Sequence, residues 1–275
     1  MNEQPRTRTI ENAHSSGTVV DEGALVLQWA PAGADQVLFV HPAVPVRHGK
    51  PPHAGVPVCW PWFGPGPADE APTHGFARTA EWRHVATTTE AGATSVEYLL
   101  TSDDATSEWW PHPYRLRLVV SFGEVLEVSL TTTNDGPDPV VVGEALHAYL
   151  AVGDVREITV TGLGGAEYFD KVRGVTAVQA GDLVLTEEAD RVYRSAAAVL
   201  VDDPVLGRRL RVESEGAANR VVWNPWDDKA RDLDDVDEAW PRFVCVEAAN
   251  ARDDVVTVAP GAAHTLTYRI TVEDL

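Results

Sequence analysis

The chain of 275 residues carries 22 Lys+Arg against 42 Asp+Glu, a formal net charge of −20, and is 44% hydrophobic. That apolar content suffices for a packed core and excludes a disordered chain. The acidity argues against general binding of nucleic-acid phosphate, and no apolar run approaches the roughly 18 residues that span a bilayer.

Met1–Ser16 is polar and has no hydrophobic run, so no secretion signal is expected and the expected location is the cytoplasm. Residues 1–23 read as a polar, partly ordered extension, and residues 24–275 as one domain. Strands are predicted where Val, Thr and aromatic residues alternate with polar ones. In chain order these are Leu25–Trp29, Gln36–Val40, Glu81–Thr88, Thr94–Leu100, Leu116–Phe122 and Leu126–Thr131. Val140–Leu150, Ile158–Val160, Ala198–Val201, Leu210–Glu213, Val221–Trp223, Phe243–Glu247 and Thr265–Val272 follow. Turn signals separate them, among them Asp21-Glu22-Gly23, Asn134-Asp135-Gly136-Pro137 and Pro260-Gly261. One helix is predicted after Asn224 as cap, with Pro225 in its first position and Trp226, Ala230 and Leu233 along one face. More than a dozen short strands and almost no helical pattern predict a large antiparallel β-sandwich.

The Pro-rich stretch Pro42–Pro72 holds too many large apolar residues to be a tether and reads as a rigid, packed loop. Between Asp35 and Asp69 lie 33 residues without a carboxylate, a window that includes His41, Arg47, His48, Lys50 and His53. It reads either as a positive island that focuses an anionic ligand or as a buried loop that excludes acids. Cys59 and Cys245 sit among apolar neighbours and read as buried free thiols.

Three segments place ionisable groups in apolar or aromatic surroundings. The first is Gly55–Gly64 with the following His74–Arg78, the second Glu144–Leu150, and the third Phe243–Asn250. Clustered Trp residues beside His and Glu suit a carbohydrate groove, and equally suit a core. Glu247 interrupts an apolar strand, either as a general base with a raised pKa or as a structural ion pair. His147 in its own apolar strand is either a catalyst or a satisfied core histidine. His74 has no paired ligand at short spacing, and two isolated cysteines make no zinc site. The run Asp227–Glu238, with seven carboxylates, reads as a solvated face. There is no nucleophile elbow and no P-loop.

In order along the chain stand Gly-Val-Pro-Val-Cys-Trp-Pro-Trp-Phe-Gly (residues 55–64), His74-Gly-Phe-Ala-Arg78, Ala145-Leu-His147-Ala-Tyr149 and Tyr168-Phe-Asp170-Lys171. Ala189-Asp190-Arg191-Val-Tyr193, Val222-Trp-Asn-Pro225 and Val244-Cys-Val-Glu247-Ala complete the series. Together they resemble the hexose-6-phosphate mutarotases, the glucose-6-phosphate 1-epimerases related to galactose mutarotase. The resemblance implies a galactose mutarotase-like supersandwich with few short helices. It also implies interconversion of hexose-phosphate anomers without metal or organic cofactor. It places Glu247 as base and His147 as acid, with His74 and Asp190 orienting the sugar. Arg78, His53, Trp60 and Trp223 join them as substrate-binding residues. The implied partner is a sugar or sugar phosphate, with no nucleic acid or membrane, and the chain is expected to be a monomer. One departure stands out. Where the family has Arg-Gly-Gly, with the Arg implied to hold phosphate, this chain has His53-Ala54-Gly55. Imidazole cannot make the bidentate guanidinium contact. A mutarotase of unphosphorylated aldoses and a non-catalytic carbohydrate-binding protein are the alternatives.

Overall fold

The computed structural model describes residues 5–102 and 109–275. Among these, every strand pairing is antiparallel, and two eight-stranded sheets enclose the core. One runs in the order Thr159–Thr161, Val199–Asp203, Arg208–Glu215, Ala263–Asp274, Val125–Asn134, Tyr114–Phe122, Ala93–Thr101 and Arg83–Glu90. Its alternation is regular. Leu116, Leu118 and Val120 turn inward while Arg115 and Arg117 are exposed, and Leu266, Tyr268 and Ile270 continue the apolar face.

The second sheet carries the site. Its order is Val175–Val178, Glu167–Asp170, Ala189–Tyr193, Asn219–Asn224, Phe243–Asn250, Glu144–Leu146 and Val58–Cys59, and Tyr149–Ala151 also pairs with Phe243–Asn250. Val244, Val246 and Ala248 face the core, where the Tyr268 hydroxyl of the opposite sheet donates to Val246 O at 2.6 Å. Phe243 and Cys245 project from the other face. There Phe39, Ala230 and Val236 cover them, with Leu233 and Trp240 packed alongside. Burial on both faces explains why Phe243–Asn250 is apolar except at Glu247 and the terminal Asn250.

Several expectations meet a different arrangement. Thr7–Glu11 and Ser15–Val20, within the segment read as a polar extension, form a three-stranded sheet with Leu25–Pro31. Ile10, Val19 and Val20 are buried, and Asp21 is tied down by Arg8 and by the Tyr98 hydroxyl. Residues 1–4 lie outside the described residues. Gln36–Val40 makes one bridge, Leu38 to Leu150, instead of a strand. Val140–Leu150 is broken at Gly143 and again at His147, because their amides donate to Pro61 O and Pro57 O. The helix is one short turn, Trp226–Ala230, capped by Pro225. Asn224 instead accepts from the Trp226 amide and donates to Trp240 O and Phe243 O. Cys59 and Cys245 are free and buried. No helix among the described residues is long and apolar enough to cross a membrane.

Candidate active site

Leu146 pairs with Ala248 and Tyr149 with Cys245, so the intervening His147 and Glu247 stand directly opposite each other. His147 Nε2 lies 3.3 Å from Glu247 Oε1. The two groups form the floor of a cavity of about 250 Å³, and His53, His74, Arg78, Lys171, Asp190 and Trp223 also line it.

Glu247 is 1% exposed, and neither of its oxygens receives a hydrogen bond from the described residues. The His147 contact is close but lacks the alignment of one. Burial pushes its carboxyl well above the usual range; Lys171 pulls it down and Asp190 pushes it further up. Burial also drives His147 well below the ordinary histidine value, with His74, Arg78 and His53 acting in the same direction. A buried carboxyl without donors is a costly arrangement that a ligand's hydroxyl groups would relieve. The His147 ring is held by stacking on Tyr149 at 4.9 Å between centroids and 13° between planes, and by the edges of His74 and Trp223.

His74 sits in a left-handed backbone conformation (φ 64°), followed by Gly75 with φ 75°. A Cβ on Gly75 would lie 1.9 Å from Trp60 O, so only glycine lets this loop close against the Trp60 segment. The Gly64 amide donates to His74 Nδ1 at 3.3 Å, which leaves Nε2–H as the donor available to a ligand. Burial, then Arg78, Lys171 and His53, lower His74 to about 3. It therefore acts as a neutral hydrogen-bonding group. Lys171 Nζ forms an ion pair with Asp190 Oδ2 at 3.1 Å, and the Lys171 ammonium lies 5.5 Å from the centre of the Phe63 ring.

Seven of the eight residues singled out in the sequence come together here. Trp60 does not. It is fully buried, with its indole N–H on Thr132 Oγ1 and its ring against Phe76, Trp110 and Tyr114. Its contribution is indirect, because its amide donates to His74 O and its carbonyl accepts from Phe76 N. The structure adds Phe63, Tyr149, Lys171 and Lys229 to the lining. Lys171 and Tyr149 each close a motif that carries the family resemblance, whereas nothing in its local pattern marks Lys229.

The positive island is also modified. His41, Arg47, Lys50 and His53 line an adjoining cavity of about 260 Å³, but Asp234 and Asp235 line it too. Asp235 Oδ1 lies 2.8 Å from His53 Nδ1, and Asp234 Oδ2 accepts from Lys50 Nζ at 3.3 Å. A window without carboxylates in sequence thus acquires them in space, and Asp235 is buried although the run that contains it reads as a solvated face. Burial alone would raise the Asp235 carboxyl; hydrogen bonding and charge from His53 outweigh it and hold it at about 2.

A family model described as aldose 1-epimerase matches residues 6–271. A protein of Escherichia coli (strain K12), provisionally named glucose-6-phosphate 1-epimerase, is 32% identical over 247 residues, covering 88% of this chain and 82% of its own length. A protein of the same provisional name from Salmonella typhimurium (strain LT2) is 33% identical over 234 residues, covering 84% and 78%. The crystal structure of YeaD from Salmonella typhimurium, provisionally described as a mutarotase, superposes with a TM-score of 0.92 at 28% identity, covering 99% of this chain and 92% of that one. Slr1438 from Synechocystis sp. PCC 6803 shares the fold at 20% identity, with a TM-score of 0.82 over 100% and 98% of the two chains. With the family model spanning all but a few residues at each end, and relatives above 30% identity across most of their length, the chain belongs to the aldose 1-epimerase family and is an enzyme of the isomerase class.

Proposed function

We propose that this enzyme interconverts the α and β anomers of an aldohexose 6-phosphate, most simply D-glucose 6-phosphate, by acid–base ring opening and closure. The observation that carries the reading is the Glu247–His147 pair, opposed at 3.3 Å on the floor of a cavity that Arg78 and Lys171 also line. The names of the relatives support the phosphorylated substrate.

In this reading Glu247 takes the proton from the anomeric O1 hydroxyl while His147 gives one to the ring oxygen O5. The C1–O5 bond breaks, and its electrons leave with O5 as O1 becomes the aldehyde oxygen. Rotation by about half a turn around C1–C2 presents the opposite carbonyl face. Closure then runs the same transfers backward, with Glu247 as acid and His147 as base. Between them the two groups need only one transferable proton. In the free enzyme, burial drives both toward their neutral forms, with that proton on Glu247. Sugar hydroxyls that donate to the Glu247 oxygens favour its carboxylate and move the proton to His147. His74 Nε2–H and Asp190 hold ring hydroxyls, and Trp223 offers an apolar face to the sugar. The free buried thiols support action in the reducing cytoplasm.

NMR exchange between the anomers of glucose 6-phosphate tests the reading. Exchange well above the spontaneous rate, abolished by Glu247→Gln, is the expected result. Saturable sugar binding with exchange at the spontaneous rate would overturn it in favour of a carbohydrate-binding protein.

A further inference from the structure

We propose that Glu22, His48 and Glu81 form a binding site for a divalent transition-metal ion of the zinc class, held by Glu22 Oε2, His48 Nδ1 and Glu81 Oε1. One ligand atom from each residue lies within 4.8 Å of the other two. His48 Nδ1 is in contact with Glu22 Oε2 and lies 3.7 Å from Glu81 Oε1. The three residues are far apart in sequence and are assembled by the fold. An isolated antiparallel bridge pairs Glu22 with Glu81, with the Gly23 amide on Ala80 O at 2.8 Å. His48 comes from the turn between Arg47 and Lys50.

The surroundings of Glu22 suit a cation. The residue is 7% exposed. Its Oε1 accepts from the Gly49 amide at 2.6 Å, while its buried Oε2 has no hydrogen-bond partner among the described residues and faces the imidazole. Gly49 adopts φ 72°, a conformation glycine takes freely, and so brings its N–H to the carboxylate. That bond orients Oε2 toward the cluster, as a supporting hydrogen bond orients a metal ligand. Among the described residues neither Glu22 nor Glu81 has a Lys or Arg within ion-pairing distance; the imidazole is their shared partner. A divalent ion would neutralise two carboxylates, and the exposed side of the cluster leaves room for water ligands. One imidazole and two carboxylates suit zinc and its neighbours rather than the all-oxygen preference of Ca²⁺ or Mg²⁺. Bound there, the ion would pin the loop of Arg47 and Lys50 to the bridge between Glu22 and Glu81. It takes no part in the acid–base chemistry.

Calorimetric titration of the metal-stripped full chain with ZnCl₂, with thermal unfolding followed in parallel, tests the site. The expected result is one ion per chain and a zinc-dependent rise in Tm that a chelator reverses. His48→Ala and Glu81→Gln should each weaken binding by at least ~10-fold and remove the Tm response. Both side chains are exposed, and an unchanged Tm without zinc verifies that each variant folds. Absence of zinc binding, zinc binding unaffected by both substitutions, or a response to Ca²⁺ or Mg²⁺ with none to zinc would each overturn the proposal.

Discussion

Lys171 Nζ lies 3.1 Å from Asp190 Oδ2, and the two ends of this ion pair act on Glu247 with opposite sign, Lys171 lowering its pKa and Asp190 raising it. With the pair's one transferable proton on Glu247 in the free enzyme, kcat/KM falls as pH rises through the pKa of that group. Lys171→Met leaves Asp190 uncompensated, so this alkaline limb should move to higher pH. Asp190→Asn removes the negative charge and frees Lys171, so the limb should move to lower pH. Measured pH profiles that shift in the same direction for both variants would refute the assignment of Glu247 as base.

Removing either member of the proposed acid–base pair should separate activity from stability. Glu247→Gln or His147→Ala should lower kcat by at least ~10²-fold, the usual scale of a lost acid–base group. Glu247→Gln should also stabilise the fold near neutral pH. The carboxyl has a folded pKa raised by burial, so ionising it above the unfolded value of about 4.3 penalises the native state. Below that value both states are protonated, and the penalty vanishes. Tm of the variant should therefore match the parent in acid and exceed it at neutral pH.

The antiparallel sandwich was legible because its strands alternate. Leu266, Tyr268 and Ile270 face inward as the period-2 pattern predicts. Less was legible where one residue type serves two ends. Trp60 and Trp223 both lie in apolar motifs, yet Trp60 is sealed in the core while Trp223 lines the cavity. Periodicity cannot tell the difference in a strand buried on both faces. Long-range pairs are equally hidden: His53 meets Asp235, and Glu22 meets His48, only because the loops fold back on the sheet. The register of His147 against Glu247 likewise follows only once the flanking pairs Leu146–Ala248 and Tyr149–Cys245 are known.

The two tryptophans should respond differently to truncation. Trp60→Ala empties a fully buried indole site and removes the bond to Thr132 Oγ1. A cost of about 3–5 kcal/mol is expected, measured by denaturant unfolding. Trp223→Ala opens a cavity wall that a sugar ring would cover, so the expected change is mainly a raised KM with a smaller loss of stability. Equal stability losses with unchanged KM would remove Trp223 from the substrate-binding set.

The phosphate contact can be separated from the sugar contacts by comparing glucose 6-phosphate with glucose. Arg78 Nη2 donates to Thr73 O at 2.7 Å, which holds the guanidinium at the rim of the cavity it lines. The remaining N–H groups of its fork are suited to a phosphate dianion. A charge-assisted hydrogen bond contributes about 1.5–3 kcal/mol. Arg78→Ala should therefore raise KM for the phosphorylated sugar by roughly 10-fold or more and leave free glucose nearly unaffected. His53 is the more instructive position. Its Nδ1 is engaged by Asp235, so an arginine there would find the same carboxylate waiting and share its donors between Asp235 and the ligand. His53→Arg should lower KM for glucose 6-phosphate, and Asp235→Asn in the same background should lower it further by releasing the guanidinium. Neither change should alter KM for glucose. Equal kcat/KM for glucose and glucose 6-phosphate in the natural protein, with no response to Arg78→Ala or His53→Arg, would show that histidine at this position marks a mutarotase of unphosphorylated aldoses.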